Sequence, residues 1–156
     1  MDRFNEEIYG KVLWECYRSK VYIVTLSLMY VLLGAAAVIW AMDKDQFLFY
    51  VLAVVVIFFC LWRINRVHHP VALICEKKLL VAVPWSFFTF DYYITFRALY
   101  MPVVYKDVVG VSSRWNHLYI GGREEGGLIS LPVQLAYVSR DGKYDFQNWV
   151  ESKQCE

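Results

Sequence analysis

Two long uncharged apolar runs, separated by a short polar turn, constrain the fold of this chain more than any other feature. Residues 21–42 contain no charged side chain, and as a helix they would extend about 33 Å, enough to cross the hydrocarbon core of a bilayer. Residues 47–62 form a second, shorter run, whose Trp62 and following Arg63 can lie at the interface. Because both runs are apolar on every face, they predict a transmembrane helical hairpin rather than two helices of a soluble bundle.

Small residues at matching depths predict how the two spans pack. Gly34 and Ala37 lie in the first span, and Ala53 lies at a similar depth in the second. Lipid tails are as apolar as the helices, so close backbone approach at small residues is what stabilises a helix pair in a membrane. We therefore expect the hairpin to pack through Gly34, Ala37 and Ala53.

Basic side chains predict the orientation of the hairpin. Four precede the first span and four follow the second, whereas the connecting turn carries one: Arg3, Lys11, Arg18 and Lys20, then Arg63, Arg66, Lys77 and Lys78, against Lys44. Loops rich in lysine and arginine stay in the cytoplasm. We therefore expect both termini to be cytoplasmic and the protein to lie in the inner (plasma) membrane of the cell.

The N-terminal segment, residues 1–20, is predicted to be an amphipathic juxtamembrane helix. Apolar side chains recur there at every fourth position, and Asn5 is a candidate N-cap. Such a helix either runs directly into the first span or serves as a lipid-surface or oligomerisation helix.

Residues 70–156 change to the pattern of a β-rich domain. Short β-branched and aromatic segments predict strands over residues 71–76, 79–83, 86–99, 102–105, 108–112, 117–120 and 128–131. A C-terminal helix follows, because Tyr144, Phe146, Trp149 and Val150 form an apolar stripe, with Ser139 or Asp141 as its cap. The predicted fold is an α+β membrane protein, in which the hairpin carries a small cytoplasmic antiparallel β-barrel or sandwich closed by that helix.

Four stretches of the domain resemble the bacterial PH-like domains of the YcxB-like type. They are residues 103–111 (VVYKDVVGV), 117–120 (HLYI), 128–132 (LISLP) and 141–150 (DGKYDFQNWV). Proteins of this type also carry a two-helix hairpin before the domain, so the resemblance covers most of the chain. It implies a β-barrel or sandwich closed by a C-terminal helix, and it supplies no catalytic residues.

No pattern in the sequence predicts catalysis or metal binding. The four cysteines lie far apart, with no Cys-x-x-Cys pair, and no serine lies in a Gly-x-Ser-x-Gly elbow. The adjacent His68 and His69 would need a third ligand from elsewhere. We therefore expect no enzymatic activity, no metal and no cofactor. The formal net charge of +1 gives no signature of a nucleic-acid polymer as partner.

Three arginines are candidate ligand-binding residues. Arg123 lies between two Gly-Gly pairs, where exposed backbone N–H groups would favour an anion, although Glu124 and Glu125 would repel it. This segment is either an anion-binding loop or simply the tip of a hairpin. Arg114 and Arg140 are further basic residues of the domain, which belong either to a one-sided basic face or to solvated strand edges.

Three functions from different classes fit this organisation. The first is a membrane-anchored PH-like interaction or regulatory module, bound to the bilayer and to a protein partner or further copies of itself. The second is a bacterial antiphage-defence effector, in which the β domain senses an anionic small ligand such as a cyclic nucleotide and the spans oligomerise to disrupt the membrane. The third is an inner-membrane immunity protein that neutralises a toxin.

Overall fold

The computed structural model describes residues 5–82, 100–121 and 127–155, which belong to two compact units. The helical unit is Lys20–His69. The β unit combines Met1–Ser19 with Pro70–Glu156, so one unit is inserted into the sequence of the other. The β unit therefore includes the N-terminal segment, which the predicted domain over residues 70–156 lacked.

The N-terminal segment contains a short helix and a strand, and the prediction of an amphipathic helix over residues 1–20 was wrong. Among the described residues 5–19, only Glu6–Tyr9 is α-helical (α1). The Asn5 side chain caps it, accepting a hydrogen bond from the backbone N–H of Glu7 at 2.9 Å. Strand β1 then occupies Val12–Cys16.

A glycine and a change of periodicity explain this difference. Gly10 ends α1 at φ 77°, and a Cβ there would lie 2.8 Å from the Glu76 Cβ atom. After it, Val12, Trp14 and Cys16 alternate with more exposed residues, as a strand requires. Pairing with the strand at Ala72–Cys75 satisfies the backbone hydrogen-bonding groups of β1. This pairing outweighs the four-residue apolar spacing that indicated a helix.

Two long antiparallel helices make up the helical unit, α2 (Lys20–Lys44) and α3 (Phe47–His68). Their most apolar windows have mean hydropathies of 2.2 and 2.6, and both helices are long and apolar enough to cross a membrane. The prediction of two long apolar helices is confirmed. α3 continues past the predicted end at Trp62, and Arg63 Nε donates a hydrogen bond to the Tyr30 hydroxyl at 2.9 Å.

Small residues lie where α2 meets α3. A Cβ added to Gly34 would lie 4.0 Å from Ile57 Cγ1, an ordinary van der Waals distance. Ala53 and Ala41 are buried and Ala37 is half-buried. The structure thus places the three predicted packing residues along the helix pair, with Gly34 facing an isoleucine rather than another small side chain.

The β unit holds two antiparallel sheets. The first has the order β1-β2-β3-β4, with β2 at Ala72–Cys75, β3 at Leu79–Ala82 and β4 at Tyr100–Val103. The second has the order β5-β6-β7, at Val108–Val111, His117–Gly121 and Leu128–Pro132. The predicted strand over residues 86–99 lies outside the described residues.

The two sheets do not close into a barrel, one of the two forms that the sequence predicted. A 3-10 turn at Tyr105–Asp107 carries the chain from β4 to β5, and among the described strands no ladder joins the two sheets. The turn is fixed by Tyr105, whose buried hydroxyl donates a hydrogen bond to the backbone oxygen of Cys75 at 2.6 Å. The chain therefore changes sheet at this turn instead of continuing one ladder.

One hydrophobic core joins both sheets to the C-terminal helix α4 (Arg140–Gln154). Its fully buried members include Ile74 and Leu79 from the first sheet, Leu118 from the second and Phe146 from α4. The predicted helix is confirmed, and Ser139 is its cap. The first sheet is also covered on its other face, where Tyr9 of α1 packs in a second cluster.

Candidate functional site

An open cleft separates β5 from α4. The helix is fixed at both ends: its N-terminus by the Ser139 cap, and its C-terminus by Gln154, whose Nε2 donates hydrogen bonds to Tyr105 O at 3.1 Å and Val108 O at 2.6 Å. Between these ends lies a space of about 400 Å³. That volume is within the range of sites that hold small ligands or peptide side chains.

The cleft has an apolar floor and a strand edge as one wall. Phe146 and Val150 of α4 form the floor, together with Val111 of β5. Gln147 and Glu151 line the helical side. Among the described strands, β5 pairs only with β6, so its other edge faces this space. The cleft therefore offers both apolar surface and backbone hydrogen-bonding groups.

The loop after β5 places Trp115 at one end of the cleft. Trp115 adopts φ 58°, a backbone conformation that bulky residues rarely take. Ser112 holds the loop: its oxygen O accepts from Trp115 N at 2.8 Å, and its Oγ accepts from the backbone N–H groups of Asn116 and His117 at 3.2 and 3.1 Å. Backbone outliers held in this way concentrate at functional sites.

A second, basic pocket of about 310 Å³ lies beside Trp115, lined also by Arg140, Lys143 and Tyr144. Lys143 Nζ lies 5.7 Å from the centre of the Trp115 ring and donates a hydrogen bond to Ala136 O at 3.1 Å. The Arg140 guanidinium lies 5.9 Å from the centre of the Tyr144 ring. Two cations over aromatic faces favour an anionic group here.

The structure treats the three predicted ligand-binding arginines differently. Arg140 lines the basic pocket, and Arg114 is an exposed neighbour of Trp115 that does not line it. Arg123 lies outside the described residues. Three residues of the basic pocket were not predicted from the sequence to bind a ligand: Trp115, Lys143 and Tyr144. The last two lie three and four residues after Arg140, a helical spacing that would have grouped them. No local pattern distinguishes Trp115.

The buried cysteines of the β unit are poor candidates for nucleophiles. Burial raises the pKa of the Cys16 thiol to about 12 and that of Cys75 to about 11. Both therefore remain protonated near neutral pH, and the thiolate is the reactive form. Within the described residues, no three His, Cys, Asp or Glu side chains are grouped so that they could hold a metal ion.

Comparison of this chain with protein-family models, curated proteins and solved structures finds no match.

Proposed function

We propose that this chain is a membrane-anchored PH-like interaction module, without catalytic activity, at the cytoplasmic face of a bacterial inner membrane. The observation that carries the proposal is the combination of two helices able to span a bilayer with a β unit that has an open cleft beside its C-terminal helix. Two spans return the chain to the side on which it began, and the basic residues around the hairpin favour the cytoplasm for that side.

The order of elements in the β unit supports the PH-like assignment. Four strands, then three strands in a second sheet, then one helix agree with the sandwich and closing helix that the YcxB-like resemblance implies. A binding role is favoured over catalysis because the cleft combines apolar floor, strand edge and basic pocket, while the buried thiols are held in their unreactive protonated form.

Cysteine labelling tests the topology. Cys155 is exposed, whereas Cys16, Cys60 and Cys75 are buried, so a membrane-impermeant maleimide reports on the C-terminus of the native chain. We expect no labelling of Cys155 in intact spheroplasts and full labelling in inverted vesicles. Asp45→Cys in a Cys155→Ser background should give the opposite result. Labelling of Cys155 from outside the spheroplasts would contradict the topology.

Site-specific photo-crosslinking in living cells tests the interaction role. Val109 of β5 and Leu128 of β7 are matched positions, both aliphatic and 63% and 59% exposed. A photoreactive residue at Val109 should give one adduct of constant mass, which Trp115→Ala abolishes, and the same residue at Leu128 should not. Absence of any Val109 adduct, or equal adducts at both positions, would argue against a binding role for this cleft.

The basic pocket favours a second candidate, the defence effector that senses a cyclic nucleotide. The rings of Trp115 and Tyr144 offer faces on which a base stacks, and Arg140 offers a planar fork of donors for phosphate. Arg140→Ala should then lose binding to a panel of cyclic mono- and dinucleotides, whereas Arg114→Ala, outside the pocket, should retain it. Failure of every nucleotide to bind the wild-type chain would reject this candidate.

A further inference from the structure

Among the described strands β5 pairs with β6 alone, and its other edge presents backbone groups to the cleft. Ser112 donates its N–H to His117 O on β6 at 2.9 Å. Because successive residues of a strand point to opposite sides, the N–H and C=O of Val111 face away from β6. A bulge between Val108 and Gly110 interrupts the pairing of β5 with β6. The regular part of β5 is therefore its C-terminal end, which lies nearest Trp115. That end adjoins the basic pocket.

The space beside this edge suits one extended chain. Gly110 lines the cleft, and a Cβ added to it would meet nothing within 4 Å, so the face of β5 at that position is open. Phe146 and Val150 lie below it, and Gln154, bonded to Val108 O, closes the far end. β5 carries neither lysine nor proline, the residues that usually block edge-to-edge pairing.

We propose that β5 receives an extended segment of a partner protein as an additional strand, which places an apolar side chain over Phe146 and Val150 and a carboxylate against Arg140. This proposal rests on the interaction role argued above and assigns it a partner. Backbone hydrogen bonds to Val111 supply part of the affinity, and the apolar floor and basic pocket supply the specificity. The acidic residue is required because Arg140 and Lys143 both line the pocket at that end.

A second copy of the chain is the less suitable occupant. Its own β5 is joined to β6 on one side and flanked by α4 on the other. Pairing of two such edges would bring two α4 helices into the space of one cleft. An isolated extended segment carries no such obstruction, so it fits where an edge strand of a folded copy does not.

Peptide selection with backbone modification tests the proposal. A random twelve-residue display library is selected against the full chain in lipid nanodiscs. Enriched peptides should alternate apolar and polar residues and contain Asp or Glu. N-methylation of alternate peptide N–H groups should weaken binding about tenfold or more in one set of positions and little in the other set, because only one edge of an added strand faces β5.

Variants of the protein provide the matching controls. Val111→Pro removes the outward N–H and should weaken binding at least about tenfold. Arg140→Glu should weaken the binding of acidic peptides, whereas Arg114→Glu should leave it unchanged. Because Val111→Pro acts on the fold as well, the N-methylated peptides, which leave the protein unchanged, decide the result.

Three outcomes would overturn strand addition. The first is binding that depends on Arg140 but is insensitive to N-methylation, which would leave the interaction module intact. The second is a change of oligomeric state with Val111→Pro, which would make a second copy the occupant. The third is a selection that enriches no peptide. If the Val109 crosslink in cells is then also absent, the proposed function fails with it.

Discussion

Gly10 and Trp115 adopt positive φ angles of 77° and 58° in the β unit, and the two have different physical meanings. At Gly10 the angle is paired with ψ −177°, a region that is essentially restricted to glycine. At Trp115 a bulky aromatic residue is held in the left-handed region by the bonds to Ser112. The first is a requirement of the fold, whereas the second positions a ring between two pockets.

Gly10→Ala should destabilise the β unit by about 1–3 kcal/mol, because the backbone would be strained and the new Cβ would lie 2.8 Å from Glu76 Cβ. Gly110→Ala is the matched control: its Cβ would enter open space, and its cost should be small. Chemical denaturation of the full chain in detergent, followed by tryptophan fluorescence, measures both. Equal losses would contradict the role given to Gly10.

Phe146→Ala should cost about 3–5 kcal/mol, the typical loss for a buried phenylalanine, and should free α4 from the core. Phe146 is 1% exposed, whereas Tyr144, two residues away, is 54% exposed and should tolerate alanine. Limited proteolysis of the two variants compares them directly. A protease-resistant C-terminus in Phe146→Ala would show that α4 is held by other contacts.

Cys16 should make the stability of the β unit fall in strong alkali. Burial raises the pKa of its thiol from 9.0 to about 12, so folding is favoured while the thiol is protonated. This contribution is fully present below about pH 9 and is lost as the pH rises towards 12. The free energy of unfolding should therefore depend less on pH in Cys16→Ala than in the exposed control Cys155→Ala. Identical slopes would exclude Cys16 as the cause.

At the scale of elements, the sequence predicted helices and strands where one property dominated. The two runs over residues 21–42 and 47–62 are apolar on every face, and they form α2 and α3 as predicted. The segment containing β1 was misassigned because its apolar residues fit both a period of four and a period of two, and only the pairing with β2 decides between them. Trp115 was not predicted as a site residue, because its position depends on a loop conformation that no sequence spacing encodes.

Gly34→Leu should destabilise the helical hairpin, whereas Gly34→Ala should not. A single Cβ at this position lies 4.0 Å from Ile57 Cγ1 and fits, but a branched side chain extending further in that direction would meet Ile57 and separate α2 from α3. Thermal unfolding in detergent, with helical content as the readout, ranks the variants. An unchanged transition in Gly34→Leu would mean that the new side chain points into lipid.

At the scale of the whole molecule, the insertion of the helical unit into the β unit is the main organising feature. The strands on either side of the insertion, β1 and β2, are direct neighbours, and Val71 N donates a hydrogen bond to Cys16 O at 2.7 Å. The ends of the β unit at which the insertion occurs therefore lie close together, and the β sheet continues across the gap in the sequence.

Replacement of Lys20–His69 by a flexible linker of about six residues should give a soluble, folded β unit, because a short chain suffices to join its two ends. The linker variant should unfold in a single cooperative transition and should bind the same selected peptides. Its failure to fold, with the full chain folded in detergent, would show that the β unit depends on the helices for stability.

The neighbouring positions of β1 and β2 also set an order of events during synthesis. The ribosome releases β1 first, then the whole apolar hairpin, and only afterwards the strand that β1 must pair with. Until β2 has been released, the first sheet is incomplete and β1 lacks the strand with which it pairs. A chain that ends within the hairpin should therefore expose the unpaired edge of β1, and exposed strand edges of incomplete chains are targets of chaperones and proteases.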